Sequence, residues 1–274
     1  MKDNLAPFPA FGSSQSEPQL FSVEALPRFH PAEAEVYARH LDIPGHDQQA
    51  LRNARFVLVG AGGIGSIVGL GLVRSGARHI AIVEPDTVDR TNLSRQFYYQ
   101  TDLSKPKALQ LAENLLAQAT DGVEIVAIPR SFQEAVVETI FPADVLLVGV
   151  DNNACRLAAS RYGHQHQIPV VFTMLSADGG LRCISFLQGP KPTDPCLWCA
   201  LPDLDPARTM PCVAAIITAG FLAAATTTFF AHRAVMGWPK EQQSFNWREI
   251  DLTGRYPDVV ATVTQRSDCE VCRC

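Results

Sequence analysis

Two short motifs, CLWC (Cys196, Cys199) and CEVC (Cys269, Cys272), place four thiols in two Cys-x-x-Cys pairs with 69 residues between them. Paired motifs of this kind supply the four thiolates of a tetrahedral zinc site, which clips distant stretches of chain together and leaves no open position for catalysis. Cys274, two residues beyond Cys272, offers a substitute ligand. Cys212, in TMPCVAA, has different surroundings. It precedes a long apolar run, and at the start of a helix the dipole favours the nucleophilic thiolate. Cys155 and Cys183 are expected to be packing residues.

A second chemistry is written in VLVGAGGIGS, Val57 to Ser66, which carries GxGxxG as Gly60, Gly62 and Gly65, with Gly63 between. After a strand and before a helix this is the fingerprint of a bound nucleotide. The first glycine permits the tight turn, the middle ones let a phosphate approach the backbone, and the last lets helix and strand pack closely. The helix start adds free N–H groups and partial positive charge. Glu84 follows Gly65 by nineteen residues, at the end of the next apolar run. A carboxylate there accepts from both ribose hydroxyls and repels a 2′-phosphate. NAD and ATP fit equally well to this point.

EPDTVDRTNLSRQF, Glu84 to Phe97, separates them. Asp86, Asn92, Arg95 and Gln96 crowd into it, and KPKA brings Lys107 soon after. A dehydrogenase has no need of such a cluster, whereas splitting ATP between its α and β phosphates puts charge on pyrophosphate that Arg and Lys stabilise. Asp151 directly follows the apolar run DVLLVGV. A lone carboxylate at that strand end suits Mg²⁺, which takes one or two protein oxygens alongside phosphates. The sequence DNN also suits a helix N-cap, and the two roles are compatible.

The elements that position these groups alternate. Apolar runs at Phe56–Val59, Ile80–Glu84, Val123–Ile128, Val145–Val150 and Val170–Met174 are separated by helical patterns at Ile64–Ser75, Lys105–Gln118, Gln133–Phe141 and Asn153–Gln167. Strands apolar on both faces, joined by helices, predict an α/β fold with a mostly parallel sheet covered on both sides. After Gly180 the runs at Leu181–Leu187, Phe245–Leu252 and Asp258–Thr264 look half-exposed, and predict antiparallel strands extending that sheet. Residues 31–54 suggest two short helices broken at Pro44-Gly45, and residues 1–30 a mobile tail with a weakly docked stretch around Phe21 to Leu26.

At 274 residues and 47% apolar content the chain can bury a large core, and its net charge of −5 argues against a general nucleic-acid binder. No opening stretch has the order of a secretory leader, so a cytoplasmic protein is expected. The run Cys212 to Gly237 is long enough for a membrane span, but its Ala and Thr content favours a buried core or interface helix.

Together, YARH (with Arg39), GAGGIGS, EPDTVDRTNLSRQF, KPKA, VDN, the two Cys-x-x-Cys pairs and the cysteine before the apolar helix resemble the ThiF/MoeB/HesA family, relatives of the ubiquitin-activating enzymes. The resemblance spans about Tyr37 to Cys272. It implies a Rossmann-like adenylation domain over residues 31–274, divided into N-terminal helices (31–54), a nucleotide-binding half (55–180) and a substrate and zinc half (181–274), and forming a homodimer. It also implies ATP, Mg²⁺ and Zn²⁺. By the same resemblance Glu84 binds ribose, Asn92, Arg95, Gln96 and Lys107 contact phosphate, Asp86 supports the adenosine side, and Asp151 holds Mg²⁺. Arg39 resembles an arginine finger delivered from the partner subunit. The implied reaction is adenylation of the C-terminal Gly-Gly carboxylate of a small ubiquitin-like β-grasp protein. The acyl group then passes to Cys212 as a thioester, or to an external sulfur donor or amine, and a downstream conjugating or sulfur-transfer protein is an expected partner. A peptide or tRNA carboxylate, or a catalytically silent nucleotide-binding scaffold, is the alternative.

Overall fold

The computed structural model describes residues 17–23, 35–138, 142–176, 180–207, 215–237, 245–269 and 271–272. Its centre is β2 (Arg55–Val59), whose apolar residues alternate between two cores because successive strand side chains point to opposite faces. Phe56 and Leu58 pack beneath α3 (Gly65–Arg74), α4 (Lys107–Leu116) and α8 (Ile217–Met236). Val57 and Val59 face α5 (Phe132–Glu138), α6 (Asn153–His166) and the short α7 (Leu197–Ala200).

Around β2 the sheet has nine strands in the order β1-β4-β3-β2-β5-β6-β7-β8-β9. The parallel centre comprises β3 (His79–Val83), β4 (Val123–Ile128), β5 (Val145–Val148) and β6 (Val170–Leu175). Beyond it β7 (Arg182–Gln188), β8 (Trp247–Asp251) and β9 (Val259–Ala261) continue antiparallel, as the half-exposed patterns predict. The chain leaves β2 toward β3 on one side and returns to β5 on the other. That makes the carboxyl ends of β2 and β5 the topological switch point, where open α/β sheets bind ligands.

Two local outcomes differ from the sequence expectation, at the first strand and at the start of α4, while the two short helices before β2 form as expected. Gln19–Val23 is an edge strand, β1, with Phe21 opposite Ile125 and packed on the core, so this part of the tail is an ordered sheet element. The remainder of that tail, residues 1–16 and 24–30, lies outside the described residues, as do Cys212 and Cys274. Helix α4 starts at Lys107 rather than Lys105, because the residue before Pro106 is driven from helical geometry. The two short helices before β2 are α1 (Ala38–Leu41) and α2 (Gln48–Asn53), the latter capped by Asp47, which accepts from the Ala50 N–H at 2.9 Å.

Helix α8 explains the long apolar run without lipid. It packs on α3 and across β5, β6 and β7. Its threonines serve buried contacts, Thr227 donating to Thr173 Oγ1 at 2.7 Å and Thr226 pairing with Ser185 at 2.9 Å. Among the described residues no helix is long and apolar enough to cross a membrane.

Candidate functional site

A cavity of about 520 Å³ opens at the switch point, within the size range of small-ligand sites. Its walls come from the ends of β2 to β6 and the start of α8. The glycine loop forms its floor, and the four glycines divide by cause. Gly60 has φ +97°, a conformation that favours glycine, and a Cβ at Gly65 would sit 1.9 Å from the Gly60 carbonyl oxygen. The fold itself requires those two. A Cβ on Gly62 or Gly63 would meet nothing nearer than 3.9 and 3.8 Å. Protein packing does not account for them, whereas close approach of a phosphate does. The space is therefore a fit for a nucleotide. Tyr98 steadies the loop by donating its hydroxyl to the Ala61 carbonyl at 2.8 Å.

Glu84 lies just past β3, 7% exposed, and accepts from the Ala61 N–H at 2.8 Å and the Asp86 N–H at 3.0 Å. Burial raises its carboxyl above the ordinary range, with the Ala61 bond and Lys107 opposing. Each oxygen keeps a second lone pair, enough for a ribose diol. Asp86 is bound twice to the start of α4: its carbonyl accepts from the Lys107 N–H at 2.8 Å, and its carboxylate pairs with Lys107 Nζ at 3.0 Å. Lys107 is 8% exposed at the side chain, and Asp86 65%. A buried ammonium is thus held at the cavity wall by an outer carboxylate.

The EPDTVDRTNLSRQF segment folds as a 3₁₀ turn, Arg90–Asn92, closed by a reciprocal capping box. Asn92 Oδ1 accepts from the Asp89 N–H at 2.9 Å, while Asp89 accepts from the Thr91 N–H at 2.8 Å. Asn92 therefore has a folding role besides lining the cavity. Arg95 is anchored to the Thr91 carbonyl and also lines it. Gln96 is buried there too, and among the described residues its Oε1 has no hydrogen-bond partner. An orphaned buried amide at a cavity wall is costly unless a ligand completes it.

At the end of β5 the helix-capping role open to DNN falls on Asn152, not on Asp151. Asn152 caps α6, accepting from the Cys155 N–H at 3.1 Å. Asp151 is exposed on the cavity, and among the described residues its side chain accepts no hydrogen bond. Oxygen chemistry and position fit a magnesium ligand. Cys155 also lines the cavity, but burial pushes its thiol up to about 12, in keeping with a packing role.

Sequence reasoning missed several wall residues: Ser131, Phe132 and Gln133 after β4, Met174 and Leu175 at the end of β6, and Arg156 in α6. Arg156 had a signal. A cation near a helix start opposes the dipole, and so points to another task.

Arg39 is not brought to this cavity within one chain. Two residues earlier Tyr37 bonds Thr120 Oγ1 at 2.6 Å and packs on Gly76, in the turns entering β4 and β3, at the opposite end of the sheet. The four predicted zinc ligands do converge. Sγ atoms lie 3.9 Å apart for Cys196 and Cys199, and 3.5 Å for both Cys196–Cys269 and Cys199–Cys272. All four sit within 4.8 Å of one another. A tetrahedron with Zn–S bonds of about 2.3 Å has edges of about 3.8 Å, so the donor set fits zinc. Burial holds the Cys196 thiol above its ordinary range in the absence of metal.

Known proteins give the same reading. The ThiF family model matches residues 37–271. The sulfur carrier protein adenylyltransferase of Thermus thermophilus is 30% identical over 214 residues, 76% of this chain and 79% of that protein. The Escherichia coli sulfur carrier protein ThiS adenylyltransferase is 26% identical, over 59% of this chain and 66% of its own length. Among solved structures, E. coli MccB with AMPCPP and MccA superposes with a TM-score of 0.73 at 19% identity, covering 89% of this chain and 75% of that one, a likeness of fold. The chain belongs to the ThiF family, as an E1-like, ATP-dependent adenylyltransferase.

Proposed function

We propose that the protein adenylates the C-terminal carboxylate of a small ubiquitin-like β-grasp protein, releasing pyrophosphate. A carboxylate oxygen attacks the α-phosphorus of ATP, the α–β phosphoanhydride breaks, and its electron pair leaves with pyrophosphate. A thiol, a sulfur donor or an amine then attacks the acyl carbon of the acyl-adenylate, and the bond to phosphate breaks with AMP as the leaving group. Glu84 fixes the ribose, the Gly60–Gly65 N–H groups receive phosphate oxygens, and Lys107, Arg95, Asn92 and Gln96 offset the charge gathering on them. Magnesium held by Asp151 supplies further neutralisation when bound. Arg39 serves the site of the second subunit in a homodimer. The uncharged far wall, Met174, Leu175, Ala215, Ile216 and Gly220, suits a slender Gly-Gly tail.

The observation that carries this reading is the start of α6. Asn152 takes the capping duty, and the Asp151 carboxylate remains on a cavity that is also lined by Arg95, Lys107 and Arg156 and by an open glycine loop. ATP–pyrophosphate exchange tests it, with candidate β-grasp proteins ending in Gly-Gly beside short peptides and tRNA. Exchange is expected with a Gly-Gly protein and lost in Asp151→Ala. Exchange supported by a peptide or tRNA alone moves the substrate class, and exchange undiminished in Asp151→Ala removes the metal assignment.

A further inference from the structure

Arg156 sits four residues past the Asn152 cap. Its Nη1 donates to Asn153 Oδ1 at 2.7 Å, and its Nη2 to the Val150 carbonyl at 2.6 Å. Those anchors flank Asp151 and Asn152, so the guanidinium spans the turn that carries the Asp151 carboxylate, from strand exit to first helical residue. Asn153 is 5% exposed and donates its Nδ2 to the Asp205 carbonyl at 3.0 Å, fixing the brace to the segment after α7. Arg156 Nε is buried without a partner among the described residues. Burial draws the guanidinium down to about 10, opposed by the Asp151 charge. A half-buried cation whose buried Nε finds no partner among the described residues, at a helix end that disfavours it, needs a reason to be there.

We propose that Arg156 is a positioning residue, whose bridge from Val150 to Asn153 holds the Asp151 carboxylate in the orientation that binds the nucleotide's divalent cation. The inference rests on the adenylation reading, in which Asp151 holds that cation. Arg156 does its work through the turn and does not touch phosphate. Lysine keeps the charge but is a point donor, unable to span two acceptors as the planar fork does.

Binding tests this without turnover. Mn²⁺ replaces Mg²⁺ as the probe, read by electron paramagnetic resonance on the full chain with α,β-methylene ATP. Arg156→Lys and Asn153→Ala are each expected to weaken Mn²⁺ affinity about tenfold or more, the usual scale for groups that orient a metal ligand. Affinity for the analogue in EDTA should stay at the wild-type value in both. Wild-type Mn²⁺ affinity in Arg156→Lys overturns the proposal. Metal-free nucleotide affinity lost in Arg156→Lys, with Asn153→Ala silent, also overturns it and makes Arg156 a direct phosphate ligand. Asp151→Ala separates the two levels. If it loses Mn²⁺ while Arg156→Lys keeps it, the positioning role alone falls, and if it binds Mn²⁺ like wild type, the metal reading falls as well.

Discussion

Replacing Gly62 and Gly65 by alanine, one at a time, separates what the fold needs from what the ligand needs. At Gly65 the new Cβ would lie 1.9 Å from the Gly60 carbonyl oxygen, where real Cβ atoms essentially never come within 3.0 Å. The turn must open by about 1 Å, and overpacking of that kind costs about 1–3 kcal/mol. At about 2–4 °C per kcal/mol for a chain of this size, melting should fall by roughly 2–12 °C. Gly62 has no positive φ and no neighbour within 3.9 Å of the added carbon. There alanine stabilises by about 0.4–1 kcal/mol through the unfolded chain, so melting should hold or rise slightly. The methyl instead blocks a phosphate from the backbone N–H groups. Losing a hydrogen bond to a charged oxygen costs about 1.5–3 kcal/mol, roughly 10- to 150-fold in ATP affinity. Thermal melts and titration calorimetry with Mg·ATP read both quantities. Wild-type ATP affinity in Gly62→Ala, or wild-type melting in Gly65→Ala, refutes this division.

Three further outcomes follow from the same geometry. Arg39→Ala and Asp151→Ala should each be inactive in pyrophosphate exchange, and a one-to-one mixture allowed to exchange subunits should recover about a quarter of wild-type activity, since each mixed two-fold dimer rebuilds one of its two sites. A mixture as inactive as its parents excludes delivery from the partner. Each chain should carry about one zinc, and stripping it, or Cys269→Ser, should lower melting sharply, because binding free energy of about 10 kcal/mol is coupled to folding at such sites; metal-free protein that melts like the native one contradicts the zinc reading. His232 on α8 is pushed down to about 4, by burial first and then by the charges of His46 and His40. Its folded value is below the unfolded one, so the neutral imidazole adds stability above pH 6.5 that drains away as pH falls to about 4, about 3 kcal/mol in all. His232→Leu should flatten melting temperature across that window, and a profile as steep as wild type would assign the loss to other groups.

The sequence made the chemistry legible where one residue type has one explanation. GxGxxG, the acid after β3, the two Cys-x-x-Cys pairs and Lys107 opening α4 all stand where periodicity and spacing put them. Asp151 was legible as a magnesium candidate, with helix capping left open as a second role. Only the cap geometry shows that Asn152 takes the helix, leaving its neighbour to the cavity. Arg156 was missed because its value lies in two contacts, to a backbone carbonyl and to Asn153, which spacing does not announce. Lys107 and Arg156 both stand near a helix start, against the dipole, and that rule would have found the second as readily as the first. β1 was read as tail because five residues between turn-rich stretches carry too little pattern. Pairing with β4 across the fold, from Gln19 opposite Ala127 to Val23 opposite Val123, is what makes them a strand.

The central claim is that ATP is cut at its innermost phosphoanhydride by a carboxylate. Phosphorus NMR of the products, formed with a Gly-Gly carrier protein and an acyl acceptor, tests that most directly. AMP and pyrophosphate in equal amounts are predicted, both dependent on the carrier, whereas ADP and inorganic phosphate would contradict the account.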